Sequence, residues 1–415
     1  MNSMMLVTLS GANNLNLLSA MGEMANQYSA RLNDVQQTRT STRITLHLLL
    51  EINVAEDASG NDYHRFFSGL TAAIKSYAEE QSCIVHIDSV LPSDVTRSAV
   101  AESRVLLLAH TLTVKDIGEV VATAESHGLR FETVQWLSGC AESANDEKED
   151  VSRDSVSVVE LLSSSTPDNI SSVREALLAL SDSLKVDIFI QSNTYDSRHR
   201  RLVCFDMDST LIDAEVIDEL AKEAGVGDQV SQITESAMRG DIAFDESFRQ
   251  RMALLEGLDE TVLASVAQRL ELNDGVEKLL LNLNQRGYKT AILSGGFDYF
   301  GRFLQEKLGI DYVYANHLDI VDGKVTGKVK GSIVNGDRKA ELLQELAEKE
   351  GLVLSQVVAV GDGANDLPML GLAGMGVAFR AKPRVKAAAE FNVSYLGLDS
   401  ILYLMGFTAS DIVDL

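Results

Sequence analysis

The sequence predicts a mixed α/β chain in which two βαββαβ units precede a Rossmann-like parallel sheet with a helical cap. Three observations carry that expectation. Over residues 1–192 the same order of strand-period and helix-period segments runs twice. From Arg201 onward short apolar strands alternate with helices, the pattern of a parallel sheet covered on both faces. Between about 215 and 285 a mostly helical stretch interrupts that alternation and is placed to cover the crevice at the strand ends.

In the first unit LVTLSG reads as a strand, and Leu15, Leu18, Met21 and Met24–Ala25 then recur at helical spacing. Strands follow near 32–39 and 43–54, then a helix over about 62–79 and the strand CIVHIDSV. The second unit repeats the order with VLLLAHT, a helix from Val114 to His127, LRFETVQWL, SVSVVELLS, a helix over about 169–183 and VDIFIQS. This is the split-βαβ, ferredoxin-like plan, repeated in pattern rather than in residue identity. The acidic stretch 138–155 reads as an exposed loop, and SNTYDSRHRR (192–201) as a junction. The expected domains are therefore 1–95, 96–195 and 196–415, with the cap at about 215–285.

Composition narrows the classes of function. The chain has 415 residues, 36 Lys+Arg against 61 Asp+Glu and a formal charge of −25, with 45% hydrophobic residues. That is ordinary globular usage with an acidic balance, so neither nucleic acid nor an anionic membrane is an expected partner. Cys83, Cys140 and Cys204 are widely spaced and contain no CxxC, as in a reducing compartment. No apolar run has membrane-spanning length and the start has no signal-like pattern, so a cytoplasmic protein is expected.

Four turns carry chemistry. The first predicted strand of the sheet ends CFDMDSTLID, placing Asp206 and Asp208 two residues apart at its mouth. Paired carboxylates there suit a hard divalent cation, and one of them can also attack phosphorus while the other works as acid and base. AILSGGF puts Ser294, Gly295 and Gly296 at a strand-to-helix turn, where backbone N–H groups and a hydroxyl can cradle an anion. Lys339 opens a helical run and can serve as a point cation for a phosphoryl group. VVAVGDGANDLPML ends a strand on Asp362 and presents Asp366 four residues later across a glycine-containing loop.

DxDST, the SGG turn, the lysine and GDxxxD, in that order, resemble the haloacid dehalogenase (HAD) superfamily of Mg²⁺-dependent phosphatases. Within it, residues of about 201–408 are similar to the phosphoserine phosphatase family, including Glu215 in LIDAEVIDELA and Met238, Phe244 and Arg251 in AMRGDIAFDESFRQRMALLEG. The resemblance implies Asp206 as nucleophile, Asp208 as acid and base, and Lys339, Ser294 and Gly295 on the phosphate with Asn365 beside them. It implies Mg²⁺ on Asp206, the Asp208 carbonyl and Asp362, with Asp366 supporting. Glu215 and Arg251 suit the ammonium and carboxylate of phosphoserine, and Met238 and Phe244 an apolar lid. A related HAD phosphatase or phosphotransferase acting on phosphohomoserine or phosphothreonine, or an amino-acid-sensing regulatory protein, are the alternatives. The N-terminal half resembles tandem ACT domains, which implies a homodimer and a serine effector at a loop holding Gly11, Asn13 and Asn14.

Overall fold

The computed structural model describes residues 4–40, 42–52, 60–91, 102–138, 156–165, 167, 169–192, 199–239 and 241–415, without the side chains of 60–63 and 238–239. Cys140 and the predicted loop 138–155, from 139 on, lie outside the described residues. Two compact units emerge, Met1–Val100 and Ala101–Leu415.

The first unit contains β1 (Met4–Ala12), α1 (Leu17–Gln27), β2 (Ala30–Arg39), β3 (Arg43–Ile52), α2 (Gly60–Glu80) and β4 (Ile84–Val90). Its antiparallel sheet has the order β2-β3-β1-β4. One face of β1 and β3 carries Met5, Val7, Leu9, Ile44, Leu46, Leu48 and Leu50, which bury against Leu17 and Met21 of α1 and Leu70 and Ile74 of α2. On the other face Thr8 lies opposite His47, its Oγ1 3.0 Å from His47 Nδ1. Alternation of apolar and polar residues thus becomes one buried and one wet face.

The second unit opens with β5 (Ser103–Ala109), α3 (Val114–Ser126), β6 (Phe131–Ser138), β7 (Ser157–Ser163), α4 (Ile170–Leu184) and β8 (Asp187–Ser192), a sheet of order β6-β7-β5-β8. Val105, Leu107, Val159 and Leu161 face α3 and α4. Leu106, Leu108, Val158 and Phe189 face the other way and merge with the core of the segment that follows. The Asp187 carboxylate accepts three consecutive backbone N–H groups, from Ser394 at 2.8 Å and from Tyr395 and Leu396 at 3.2 Å. Burial pushes its pKa up to about 6, against the pull of those donors.

The remainder holds β9 (Leu202–Phe205), α5 (Val216–Glu223), α6 (Gly227–Arg239), α7 (Phe244–Ala253), α8 (Thr261–Arg269), α9 (Val276–Gln285), β10 (Lys289–Phe297), α10 (Asp298–Leu308), β11 (Tyr312–Val321) and β12 (Lys324–Lys330). After these come α11 (Gly336–Lys349), β13 (Val357–Gly361), α12 (Leu367–Leu372), β14 (Met375–Phe379), α13 (Pro383–Ala388), β15 (Phe391–Val393) and α14 (Ile401–Leu404). The seven-stranded sheet runs β12-β11-β10-β9-β13-β14-β15, parallel except for the β11–β12 hairpin. That antiparallel edge departs from the purely alternating pattern expected, and Asp322–Gly323, both at positive φ, form its two-residue turn.

β9 is wholly buried at the centre of the sheet, which brings the ends of β9, β10 and β13 together. The helical insertion closes at a neck where Ile212 pairs with Leu272 and the Asp213 N–H reaches Glu271 O at 3.0 Å. After this neck α9 buries Leu279, Leu280 and Leu283 and leads into β10.

Candidate active site

Because β9 ends in mid-sheet, the residue after Phe205 must leave the ladder. The Asp206 N–H is still held by Val360 O at 2.9 Å, so its side chain starts from a fixed point. Asp206 Oδ1 accepts the Met207 N–H at 2.7 Å and Lys339 Nζ at 2.9 Å. Lys339 is fully buried and its ammonium also lies 2.7 Å from Asp366 Oδ1. Burial by itself would lower the lysine pKa, but the two facing carboxylates outweigh it and hold the group above its ordinary value. Asp366 is pinned from its other oxygen by the Gly363 N–H at 2.9 Å.

Carboxylate oxygens of Asp206, Asp362 and Asp366 lie within 4.8 Å of one another. Three carboxylates against one lysine leave excess negative charge in a largely buried pocket. Burial and the neighbouring Asp206 raise Asp362 to about 8 and Asp366 to about 7. A hard oxygen set of this kind fits a divalent cation, which would relieve both shifts. The Asp208 side chain stands outside that trio. Its Oδ1 accepts the Val216 N–H at 3.2 Å, and burial with the charges of Glu215 and Asp206 raises its pKa well above the usual range.

The Ser294-Gly295-Gly296 turn rises from β10 beside these groups. Gly296 donates its N–H to Ser294 Oγ at 2.8 Å. A Cβ on Gly296 would come 2.5 Å from Asp208 Oδ2, so any side chain there would displace the Asp208 carboxylate. Phe244 of α7 covers the turn, its ring edge 3.3 Å from where a Gly295 Cβ would sit, and stacks on Phe248 with ring centroids 6.3 Å apart. Asn365 packs against the start of α11, its carbonyl 2.8 Å from a Cβ position on Gly336. Met238 falls on α6, but its side chain lies outside the described residues.

Glu215 precedes α5 and accepts the Ser209 hydroxyl at 2.8 Å. Crowding by protein atoms and the Asp206 and Asp218 charges raise its pKa although its side chain still meets solvent. Arg251 reaches the same region from α7, and burial lowers its pKa against the attraction of Glu215, Asp218 and Asp208. Its buried Nε and Asp218 Oδ1 have no hydrogen-bond partner among the described residues.

Sequence reasoning passed over Asp218, one helical turn after Glu215, although the i, i+3 spacing places both on one face. It also passed over Thr210, whose hydroxyl lies 3.4 Å from Asp362 Oδ1 and belongs to the DxDST motif. In the first unit, Arg39 donates to the Asn13 carbonyl and lies 3.2 Å from Asn13 Oδ1. Gly11 has a packing reason as well, since a Cβ there would come 2.5 Å from the Cys83 sulfur.

A parallel sheet whose central strand ends in an aspartate facing a buried lysine and two further aspartates, under a helical cap, defines a HAD-type hydrolase. The haloacid dehalogenase-like hydrolase family matches residues 200–374, and the ACT domain family matches residues 3–87. The phosphoserine phosphatase of Streptomyces coelicolor is 36% identical over 408 residues, covering 98% of this chain and 93% of the relative. That of Mycobacterium tuberculosis is 33% identical over 409 residues, covering 98% and 94%. The chain belongs to the phosphoserine phosphatase family.

Solved structures agree. A HAD-family hydrolase from Salmonella enterica serovar Typhi superposes with TM-score 0.63 at 30% identity, over 73% of this chain and 99% of that one. A probable phosphoserine phosphatase from Vibrio cholerae gives 0.58 at 33% identity, over 76% and 90%.

Proposed function

We propose that this chain hydrolyses O-phospho-L-serine to L-serine and phosphate in the cytoplasm, through an aspartyl-phosphate at Asp206 and with Mg²⁺ as its metal. The observation that carries the reading is the buried Lys339 bridging Asp206 and Asp366 beside Asp362, under a cap that supplies Glu215 and Arg251. No helix among the described residues is long and apolar enough to cross a membrane.

Asp206 Oδ1 is engaged by the Met207 N–H and Lys339, so Oδ2 is the oxygen left to attack phosphorus in line. As the P–O bond to serine breaks, Asp208 delivers its proton to the leaving oxygen. It then takes a proton from the water that opens the acyl-phosphate and returns Asp206 to a carboxylate. Lys339, the Ser294 hydroxyl and the Gly295 N–H hold the phosphoryl oxygens as charge spreads over them, with Asn365 alongside. Asp206, the Asp208 carbonyl and Asp362 would hold Mg²⁺, with Asp366 in support; when bound, the cation supplies neutralisation of phosphoryl charge. Glu215 pairs the substrate ammonium, the Arg251 guanidinium forks onto its carboxylate, and Phe244 with Met238 excludes water.

Release of inorganic phosphate from L-phosphoserine, measured with Mg²⁺ and after chelation, tests both halves of this reading. Chelation is expected to abolish turnover, and Asp206→Asn to lower kcat by roughly a thousandfold or more. Undiminished release by that variant overturns the assignment of Asp206.

The first ACT-like unit is the proposed serine sensor and a dimer contact. Its loop Gly11–Asn14 leads into a helix whose Asn16 makes no side-chain cap, whereas Thr113 and Asp116 of the second unit consume each other's polar groups in a capping box. Strand β2 is an exposed edge on which Leu32 and Val35 are 44% and 42% open to solvent, and a second copy of the chain could pair with it. Titration calorimetry with L-serine is expected to show binding that Asn13→Ala with Asn14→Ala removes. A signal that survives both changes moves the effector elsewhere.

A further inference from the structure

We infer that Asn316 is a positioning residue that sets the phosphate-binding turn in register with the helix that delivers Lys339. The inference rests on the phosphoryl-transfer reading above and adds to it a residue that no catalytic motif contains.

The register of the sheet shows why such a residue is needed. β10 pairs with β11 as Ala291 with Tyr312, Ile292 with Val313 and Leu293 with Tyr314, and then jumps to Phe297 with Asn316. Four residues of β10 therefore advance against two of β11. Ser294, Gly295 and Gly296 are thrown out of the ladder as a bulge, and their backbone groups lose the partners a regular strand would supply.

Asn316 closes that bulge and replaces the missing partner. Its side chain is 2% exposed, and its Nδ2 donates to the Gly295 carbonyl at 2.8 Å. Its Oδ1 accepts the Val334 N–H at 2.9 Å. One partner is a carbonyl and the other an N–H, so the network itself assigns the orientation of the amide.

Both bonds bear on the chemistry. The Gly295 carbonyl and the Gly296 N–H belong to one peptide unit, held at one end by Asn316 and at the other by Ser294 Oγ. Because Ser294 Oγ already accepts that N–H, its own O–H remains a donor, which is the role a phosphate oxygen requires. On the other side Val334 leads directly into α11. Asn335 caps that helix by accepting the Arg338 N–H at 3.1 Å, and the Lys339 N–H bonds the Asn335 carbonyl at 2.9 Å. A single buried amide thus links the bulge that presents Ser294 and Gly295 to the first turn of the helix that presents Lys339. Asn335 also donates to Asp245 Oδ1 of α7 at 3.2 Å, which ties the same segment to the cap residue next to Phe244.

The test uses the full-length chain with Asn316→Asp, which keeps the acceptor for Val334 but sets a carboxylate against the Gly295 carbonyl, and with Asn316→Ser. Rates are taken per folded molecule, the folded fraction coming from circular dichroism. The expected result is a kcat lowered roughly 10- to 100-fold, with KM for phosphoserine changed less than about threefold. Competitive inhibition by inorganic phosphate should change no more than KM does while inhibition by L-serine holds, and p-nitrophenyl phosphate should lose rate in parallel. If kcat per folded molecule stays within about twofold of the parent in both variants, Asn316 only stabilises the fold and the inference is overturned. Turnover of the parent is the separate check on the functional reading: a parent inert toward phosphoserine but active on p-nitrophenyl phosphate would sink the substrate assignment and leave this test intact.

Discussion

The two βαββαβ units share one plan and differ in what happens to the sheet face away from the helices. In β1 burial alternates from Met5 to Gly11, with Thr8 and Ser10 on the half-open side; in β5 all seven residues are buried. The cause is in the strands themselves. VLLL and VV in β5 and β7 are apolar on both sides, while LVTLS and ITLHL alternate. A strand apolar on both faces must be covered twice. The second unit meets that demand by sharing Leu106, Leu108, Val158 and Phe189 with the phosphatase core, where Phe189 and Phe391 lie 6.3 Å apart. The lesson is that a repeated module can keep one sheet face half-open in one copy and build it into a neighbouring core in the other through its outward-facing residues alone.

The largest effect should come from attacking the shared face. Leu108→Asp places an unpaired carboxylate where exposure is 0%, and should cost about 4 kcal/mol or more. Urea unfolding should show it, with phosphatase activity falling in step. If activity survives unaltered, the second unit does not support the phosphatase core.

A smaller effect probes the anchor at Asp187. Its folded pKa of about 6 stands above the ordinary carboxylate value, so the folded state binds the proton more tightly. The stability this adds is fully present below the unfolded pKa and is lost as pH rises through about 6. Between pH 5 and pH 8 that amounts to about 1 kcal/mol. Comparing the parent with Asp187→Asn at the two pH values should show that portion of the slope disappear, and an unchanged difference would mean that Asp187 titrates alike folded and unfolded.

The smallest effect completes the contrast. Thr8→Asp, on the corresponding face of the first unit, should shift unfolding by less than about 1 kcal/mol. A loss as large as that of Leu108→Asp would erase the distinction between the two faces.

Much of this was legible before any coordinates. Asp206, Ser294, Lys339, Asp362 and Asp366 announce themselves because each follows an apolar strand or opens a helix, and a parallel sheet gathers such ends on one edge. The β11–β12 hairpin is also written in the chain, at Asp322–Gly323, within a stretch whose wider pattern alternates strand and helix. Asp218 could have been found from its spacing to Glu215. Asn316 could not, since an asparagine inside a strand has no periodic signature and its partners lie 21 and 18 residues away. Asp187 is harder still, as its acceptors' donors lie more than 200 residues along the chain.

Local order was therefore settled by the chain alone: which stretches are strands or helices, which turns carry carboxylates, and which strands need cover on two sides. Those properties depend on neighbours within a few residues, where side-chain period and backbone preference act. Tertiary structure decided which buried polar groups meet, namely Asn316 between two loops, Asp187 on three amides and Lys339 between two aspartates. Such pairings follow from the cost of leaving a desolvated donor or acceptor without a partner, a cost relieved only once distant segments have packed.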